Sequence, residues 1–239
     1  GPVRNLPEGD HLGWIVQILP ELGEPARYRH LDPSLGAYHK RNDPVRQTII
    51  PTLVCPSSWT ADAPVSSYAG VHHHKEAPID ADNTGILFLN SNLGFHDLRD
   101  GSAYTLFIGE KHAGHSEDLG WMSGTSATLR NTGVPVNATT MTGGAPPWVT
   151  FGDDALAEQL RQDVAAAGKI ELSDNPYIAV GGDPNSPLLV GGFGSYHPGG
   201  AEFAFADGSV QFLADTMNLA TLQELANRKD GELMKDSNY

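Results

Sequence analysis

At 239 residues, 39% of them hydrophobic and 18% charged, the chain can bury about 70% of the surface its unfolded form exposes, which excludes a disordered tract. Twenty-nine acidic against 15 basic residues leave a formal charge of −14, a field that repels phosphate backbones and excludes nucleic acid as the partner. The single cysteine, Cys55, excludes an intrachain disulfide and reads as a buried apolar thiol beside a turn.

Taken in chain order, Gly1-Pro2 reads as an expression scar, and residues 3–239 as a single soluble domain. Within residues 10–22, Ile15, Ile18, Leu19 and Leu22 fall at i, i+3, i+4 and i+7, predicting an amphipathic helix interrupted by Pro20. Residues 23–47 are polar and rich in Pro, His and Arg, a surface loop with short helical turns. Thr48–Val54 is a β-branched run ended by Cys55-Pro56. Strands are predicted at Ser67–Val71, Gly85–Leu89 and Tyr104–Ile108.

Residues 113–150 read as irregular, with Trp121 and Trp148 as anchors. Asp153–Lys169 reads as a helix, capped by Asp153 or Asp154, with Leu156, Leu160 and Val164 on one face and Gly168 closing it. Residues 173–190 return to loop. Phe203 and Phe205, then Val210 and Phe212, alternate on either side of Asp207-Gly208, a dipeptide suited to a tight reversal, so a β-hairpin is expected behind the glycine-rich Gly191–Gly200. A helix follows at Asp215–Ala226, with Thr221 and Glu224 as a capping pair and Leu219, Leu222 and Leu225 facing inward. The tail beyond Asp230 is polar. No apolar run reaches the roughly 18 residues of a membrane span. Separated strands with helices at both ends give an α+β class, helix against a mostly antiparallel sheet.

Chemistry has several candidate locations. His72 and His74 lie on one side of a strand, and His112 with His115 form a second pair. A zinc hydrolase needs three such ligands converging, and no His-Glu-x-x-His is present, so exposed loop histidines are the preferred reading. Asp80, Asp82 and Gly85 resemble half of a calcium loop, but Ser91 stands where its glutamate belongs; a looser cage would recruit Asp97, Asp100 or Asp183. A solvated acidic turn is the competing reading. His197 and Asp207 are expected to be structural, the imidazole tying the loop to the sheet through a backbone group or a carboxylate. Ser195 lacks the Gly-x-Ser-x-Gly elbow of a nucleophile. Arg99 and Glu110 are expected to pair at a strand entry, and Trp121 and Trp148 are candidates for contact with a polysaccharide.

The His197 to Asp207-Gly208 spacing, with nine residues between, belongs to an ordered set of short motifs. The others are Trp14–Pro20, Thr52–Ser57, Ser67–Gly70, Asp97–Ser102, Thr105–Glu110, Thr221-Leu222 with Leu225-Ala226, and Gly231-Glu232. This set resembles a planctomycete pilin-like family whose members begin with a prepilin-type cleavage and methylation segment and end with a His-x9-Asp-Gly signature. The gaps lie at 23–47 and 111–190. The resemblance implies a pilin-like fold, with an N-terminal helix largely truncated here packed on the sheet, long loops and a C-terminal helix. It implies a non-enzymatic subunit of a type IV pilus or type II secretion pseudopilus, anchored in the inner membrane with its domain in the periplasm or outside. Other pilin-like subunits or secretion machinery are the implied partners. A carbohydrate- or calcium-binding module is the alternative, and a histidine-metal hydrolase the second; calcium precedes zinc as the cofactor to test.

Overall fold

The apolar stripe of residues 10–22 does report a buried face, since Ile15, Val16 and Leu19 are all buried. The structure, a computed structural model, describes residues 10–58, 62–113, 118–138 and 190–231. The predicted helix is cut to one turn, α1 (Trp14–Gln17). Pro20 has no N–H to continue the ladder, and looser turns carry the chain to Gly23 at φ 81°. The chain divides into two compact units, Gly1–Ala69 with Ala113–Leu129, and Gly70–His112 with Arg130–Tyr239.

In the first unit, α2 (Pro25–His30) and α3 (Asp43–Arg46) each carry proline in the first turn, where its missing donor costs nothing. Ile15, Leu19, Val45, Ile50, Leu53, Trp121 and Met122 pack into one core. The β-branched run at 48–54 does not extend as a strand. Pro51 opens a 3-10 turn, Pro51–Leu53, and Leu53 turns into the core. Polar groups inside are paired: Asn42 accepts from Asp32 N (2.9 Å) and donates to Asp32 O (2.9 Å) and Gly36 O (2.8 Å).

The second unit is built on a five-stranded mixed sheet, which with few short helices makes the protein α+β. The strands are β1 (Tyr68–His73), β2 (Leu106–Glu110), β3 (Leu129–Asn131), β4 (Gly200–Phe205) and β5 (Val210–Ala214), in the order β3-β1-β2-β4-β5. The β2–β4 and β4–β5 ladders are antiparallel. The expected hairpin is present, with Gly208 at φ 88° in its turn. Its register sets Phe203 opposite Gln211 and Glu202 opposite Phe212. Ala201, Phe203, Phe205 and Leu213 therefore share the buried face, whereas Val210 (64% exposed) and Phe212 (45%) point out. The Val210 and Phe212 alternation thus marks the outward face of β5. Turn length fixes register, and Leu213 supplies the inward contact.

Phe203 meets Phe193 edge to face, ring centroids 5.1 Å apart. Gly109, paired with Phe203, makes room for both rings: a Cβ there would come within 2.4 Å of Phe203. Gly85–Leu89 forms no strand. Gly85 N donates to His72 O, but Ile86 N and Leu87 N both converge on Val71 O (3.0 Å each), so no ladder propagates. The last helix, α4 (Leu219–Ala226), starts later than predicted and is capped by Asn218, whose Oδ1 accepts from Ala220 N (2.8 Å), not by Thr221 with Glu224. Leu222 and Leu225 are buried as expected, and Leu219 is half-buried. The Asp153–Lys169 helix lies outside the described residues. No helix among them is long and apolar enough to cross a membrane.

Candidate functional site

The glycine-rich segment before β4 is stitched down at almost every residue. Asn131 N donates to Gly191 O (3.1 Å), Arg130 Nη1 to Val190 O (2.6 Å), and Asn137 N to Phe193 O (3.0 Å). The Glu76 carboxylate accepts from Val190 N (2.9 Å), Gly191 N (3.2 Å) and Asn131 Nδ2 (3.0 Å), so one side chain satisfies three donors. Gly194 N reaches Glu110 O (3.0 Å), and Ser195 N reaches Asn137 Oδ1 (2.8 Å). The Ser195 hydroxyl donates to Gly200 O (2.6 Å) and accepts from His197 N (3.0 Å). Both bonds fasten the loop backbone ahead of β4.

His197 ties this loop to the sheet as its position suggests, but through a different carboxylate. Its Nε2 lies 3.4 Å from Glu110 Oε1, while Glu110 Oε2 accepts from Glu202 N (2.9 Å). Glu110, expected against Arg99, thus bridges the His197 ring and the β4 backbone. Arg99 instead donates its N–H to Arg228 O (3.0 Å). Asp207 is exposed and serves its own turn: Oδ1 accepts from Ser209 N (2.8 Å) and Ser209 Oγ (2.7 Å), and these bonds hold its carboxyl below the usual range. Glu110→Ala leaves the part-buried Glu202 N–H without its acceptor and is expected to cost about 1–3 kcal/mol; His197→Ala, at a half-exposed ring, is expected to cost under about 1 kcal/mol. Denaturant midpoints check the order, and a larger loss for His197→Ala contradicts it.

The histidine run divides its members. His72 is fully buried, its Nδ1 3.1 Å from Asn83 Oδ1 and its Nε2 3.5 Å from Asn131 Nδ2. These contacts set the neutral tautomer: Nδ1–H donates to the Asn83 carbonyl, and Nε2 accepts from the Asn131 amide. Burial pushes the imidazole down to about 4. His74 Nδ1 contacts Thr84 Oγ1 (2.7 Å), and His73 stacks on the His74 ring at 4.6 Å. His74 is likewise pushed down to about 4, by burial first and then by His73 and Lys75. The pair His72 and His74 is therefore engaged in separate contacts. His112 lies edge-on to Tyr196, ring centroids 4.8 Å apart, and His115 lies outside the described residues.

Asp80 and Asp82 are exposed, and the Asn83 side chain organises the loop. Asn83 Oδ1 accepts from Asp80 N (2.8 Å) as well as facing His72, and Asp80 Oδ1 accepts from Ala81 N (2.6 Å). Among the described residues, none of His72, His74, His112, Asp80 and Asp82 joins a group of three metal-ligating side chains close enough to hold one ion. Trp121 is corrected from ligand contact to core: it is fully buried, and its Nε1 donates to Thr48 O (2.9 Å). Trp148 and Asp183 lie outside the described residues.

Sequence reasoning missed Glu76 and Arg228. The buried Arg228 guanidinium donates to Asn83 O (2.7 Å) and to Gly85 O, and lies 4.7 Å from the Phe88 ring centroid. Its backbone N–H reaches Thr84 O (3.1 Å). One arginine just past α4 thus closes the whole 83–88 turn. Nothing in the local pattern distinguishes Glu76 or Arg228 from a surface charge.

No curated protein and no solved structure matches this chain. Residues 2–220 match the family described as a protein of unknown function, DUF1559. That match spans the sheet, the Glu76 clamp and the His197–Glu110 fastening alike, and the chain belongs to the DUF1559 family.

Proposed function

We propose that this chain is the extracytoplasmic domain of a pilin-like or pseudopilin-like subunit, a non-enzymatic part whose work is to hold position and present loops. Its partners are other pilin-like subunits or secretion machinery, and an N-terminal apolar helix anchors it in the inner membrane. The family is typically one of pilin-like, prepilin-type planctomycete proteins, which supports the reading. The observation that carries it is the signature loop. Ser195, Glu110 and Asn137 each bond the backbone of the β4 approach, and the His197 ring lies against the Glu110 carboxylate. An acid–base site needs at least one such group aimed at open space and poised to exchange a proton.

The test is expression of the entire open reading frame with a C-terminal tag, followed by cell fractionation and cross-linking. Retention in the inner membrane, a processed N-terminus by mass spectrometry and cross-links to other pilin-like subunits are expected. Recovery from the cytosol alone, or stoichiometric zinc or calcium in the purified domain, overturns the reading in favour of a soluble or metal-using class.

A further inference from the structure

We infer that the outer edge of β5 is a docking site for an extended, basic segment of a different protein, which adds to the sheet as a sixth strand. The inference does not depend on whether the chain builds a filament. Strand β5 lies at the end of the sheet, with β4 on one side and no described strand on the other. Phe205 N donates to Ser209 O (2.9 Å) and Asp215 N to Gly199 O (2.9 Å), which fixes the phase of the ladder. In an antiparallel pair alternate residues exchange both bonds, so Gln211 and Leu213 face β4 while the backbone groups of Val210 and Phe212 point outward. Ala214 presents its N–H there, its carbonyl being taken by Met217 N (3.0 Å).

Natural edge strands are blunted by lysine, proline, a bulge or an inward-pointing charge. Val210-Gln211-Phe212-Leu213-Ala214 carries none of these, and its register with β4 is unbroken. Two of its outward side chains are large and apolar and lie in solvent. An edge with no partner strand among the described residues, flanked by apolar side chains, is the arrangement used in strand addition, where main-chain bonds give affinity and alternate side chains give selectivity.

The surrounding charge selects the occupant. Glu202, opposite Phe212, is exposed; Asp207 sits at the tip of the hairpin and Asp215 just beyond its end. From Gly200 to Asn218 there are three acids and no lysine or arginine. A strand alternating lysine or arginine with apolar residues would set its charged side on the face that carries Glu202, the aliphatic stems lying along Val210 and Phe212 and the charged ends reaching towards the acids. A second copy of this chain would bring the same acids, and a formal −14, against each other.

Amide hydrogen exchange tests this. In the free protein the Val210 and Phe212 amides are expected to exchange fast, and those of Gln211 and Leu213 slowly. A short acetylated peptide alternating lysine with valine and phenylalanine is expected to slow Val210 and Phe212 by about tenfold or more. A glutamate version of the peptide is expected to leave them unchanged. Phe212→Pro removes the central outward N–H, and Glu202→Lys, a substitution at an exposed site, reverses the local charge without removing a core contact. Both are expected to abolish the slowing by the lysine peptide. Absence of slowing, equal slowing by the acidic peptide, or slowing that grows with protein concentration alone each overturns the inference, the last in favour of self-pairing.

Discussion

Phe203→Ala is expected to destabilise the second unit by about 3–5 kcal/mol, while Phe212→Ala, one strand away, costs under about 1 kcal/mol. Phe203 is fully buried, packed edge-on to Phe193 and seated over Gly109, whose lack of a side chain admits the ring. Truncation opens a cavity walled by a strand and a ring that cannot both collapse into it. Phe212 is 45% exposed and opposite Glu202, so alanine there removes little buried surface. Urea unfolding of the two variants, followed by exchange of the β4 amides, reads the difference directly. Similar losses at both positions would mean that the buried face of the hairpin had been assigned in the wrong phase.

Stability is expected to fall as the solution is acidified from pH 6.5 towards 4. His72 is neutral in the folded protein and is held at about 4 by burial, with His73 and Arg130 adding repulsion and Asn83 opposing. Unfolded, the imidazole returns to its ordinary 6.5 and takes a proton more readily than the native state does. Its contribution is therefore fully present above pH 6.5 and is lost as pH falls through the window down to about 4; that gap corresponds to about 3 kcal/mol. His74, also near 4, adds a smaller share because its ring is only half-buried.

Asp100 acts in the opposite sense. Burial first, and then the neighbouring Asp230 carboxylate, raises it to about 6, so it favours folding at low pH and loses that contribution as pH rises through 6. Two imidazoles outweigh one carboxyl, and the net slope is downward in acid. His72→Gln should flatten the acid limb of a melting-temperature profile, and Asp100→Asn should steepen it. Unchanged slopes in both variants would contradict the assignment of these groups.

What the sequence made legible was wherever local chemistry and tertiary burial agreed. The hairpin around Asp207-Gly208 has turn residues, β-propensity and apolar alternation all pointing one way, and its strands flank that dipeptide as expected. At residues 10–22 the period was right for burial but wrong for helix length, because the helix ends at Gln17 and irregular turns follow through Pro20, which has no N–H to donate, while Leu19 still faces the core. Gly85–Leu89 has the composition of a strand, yet Arg228 takes the Asn83 and Gly85 carbonyls and two amides share one acceptor. Those are contacts from more than 140 positions away, and no local window contains them.

The site divides the same way. The position of His197 before the sheet was readable; its partner Glu110 was not, because pairing across β2 and β4 depends on a register set elsewhere. The His72 run looked metal-ligating because spacing alone reports a shared side. It does not report that Asn83 and Asn131 already occupy both ring nitrogens of His72.

The Glu76 carboxylate and the Arg130 guanidinium bring residues 130–131 and 190–191 together on one patch of backbone. Asn137, bonded to Phe193 and Ser195, extends the same fastening to residue 138. The entropy of closing a stretch of chain between two fixed ends grows only with the logarithm of its length, so doubling the number of residues between positions 138 and 190 would add about 0.6 kcal/mol of closure cost, provided those contacts hold.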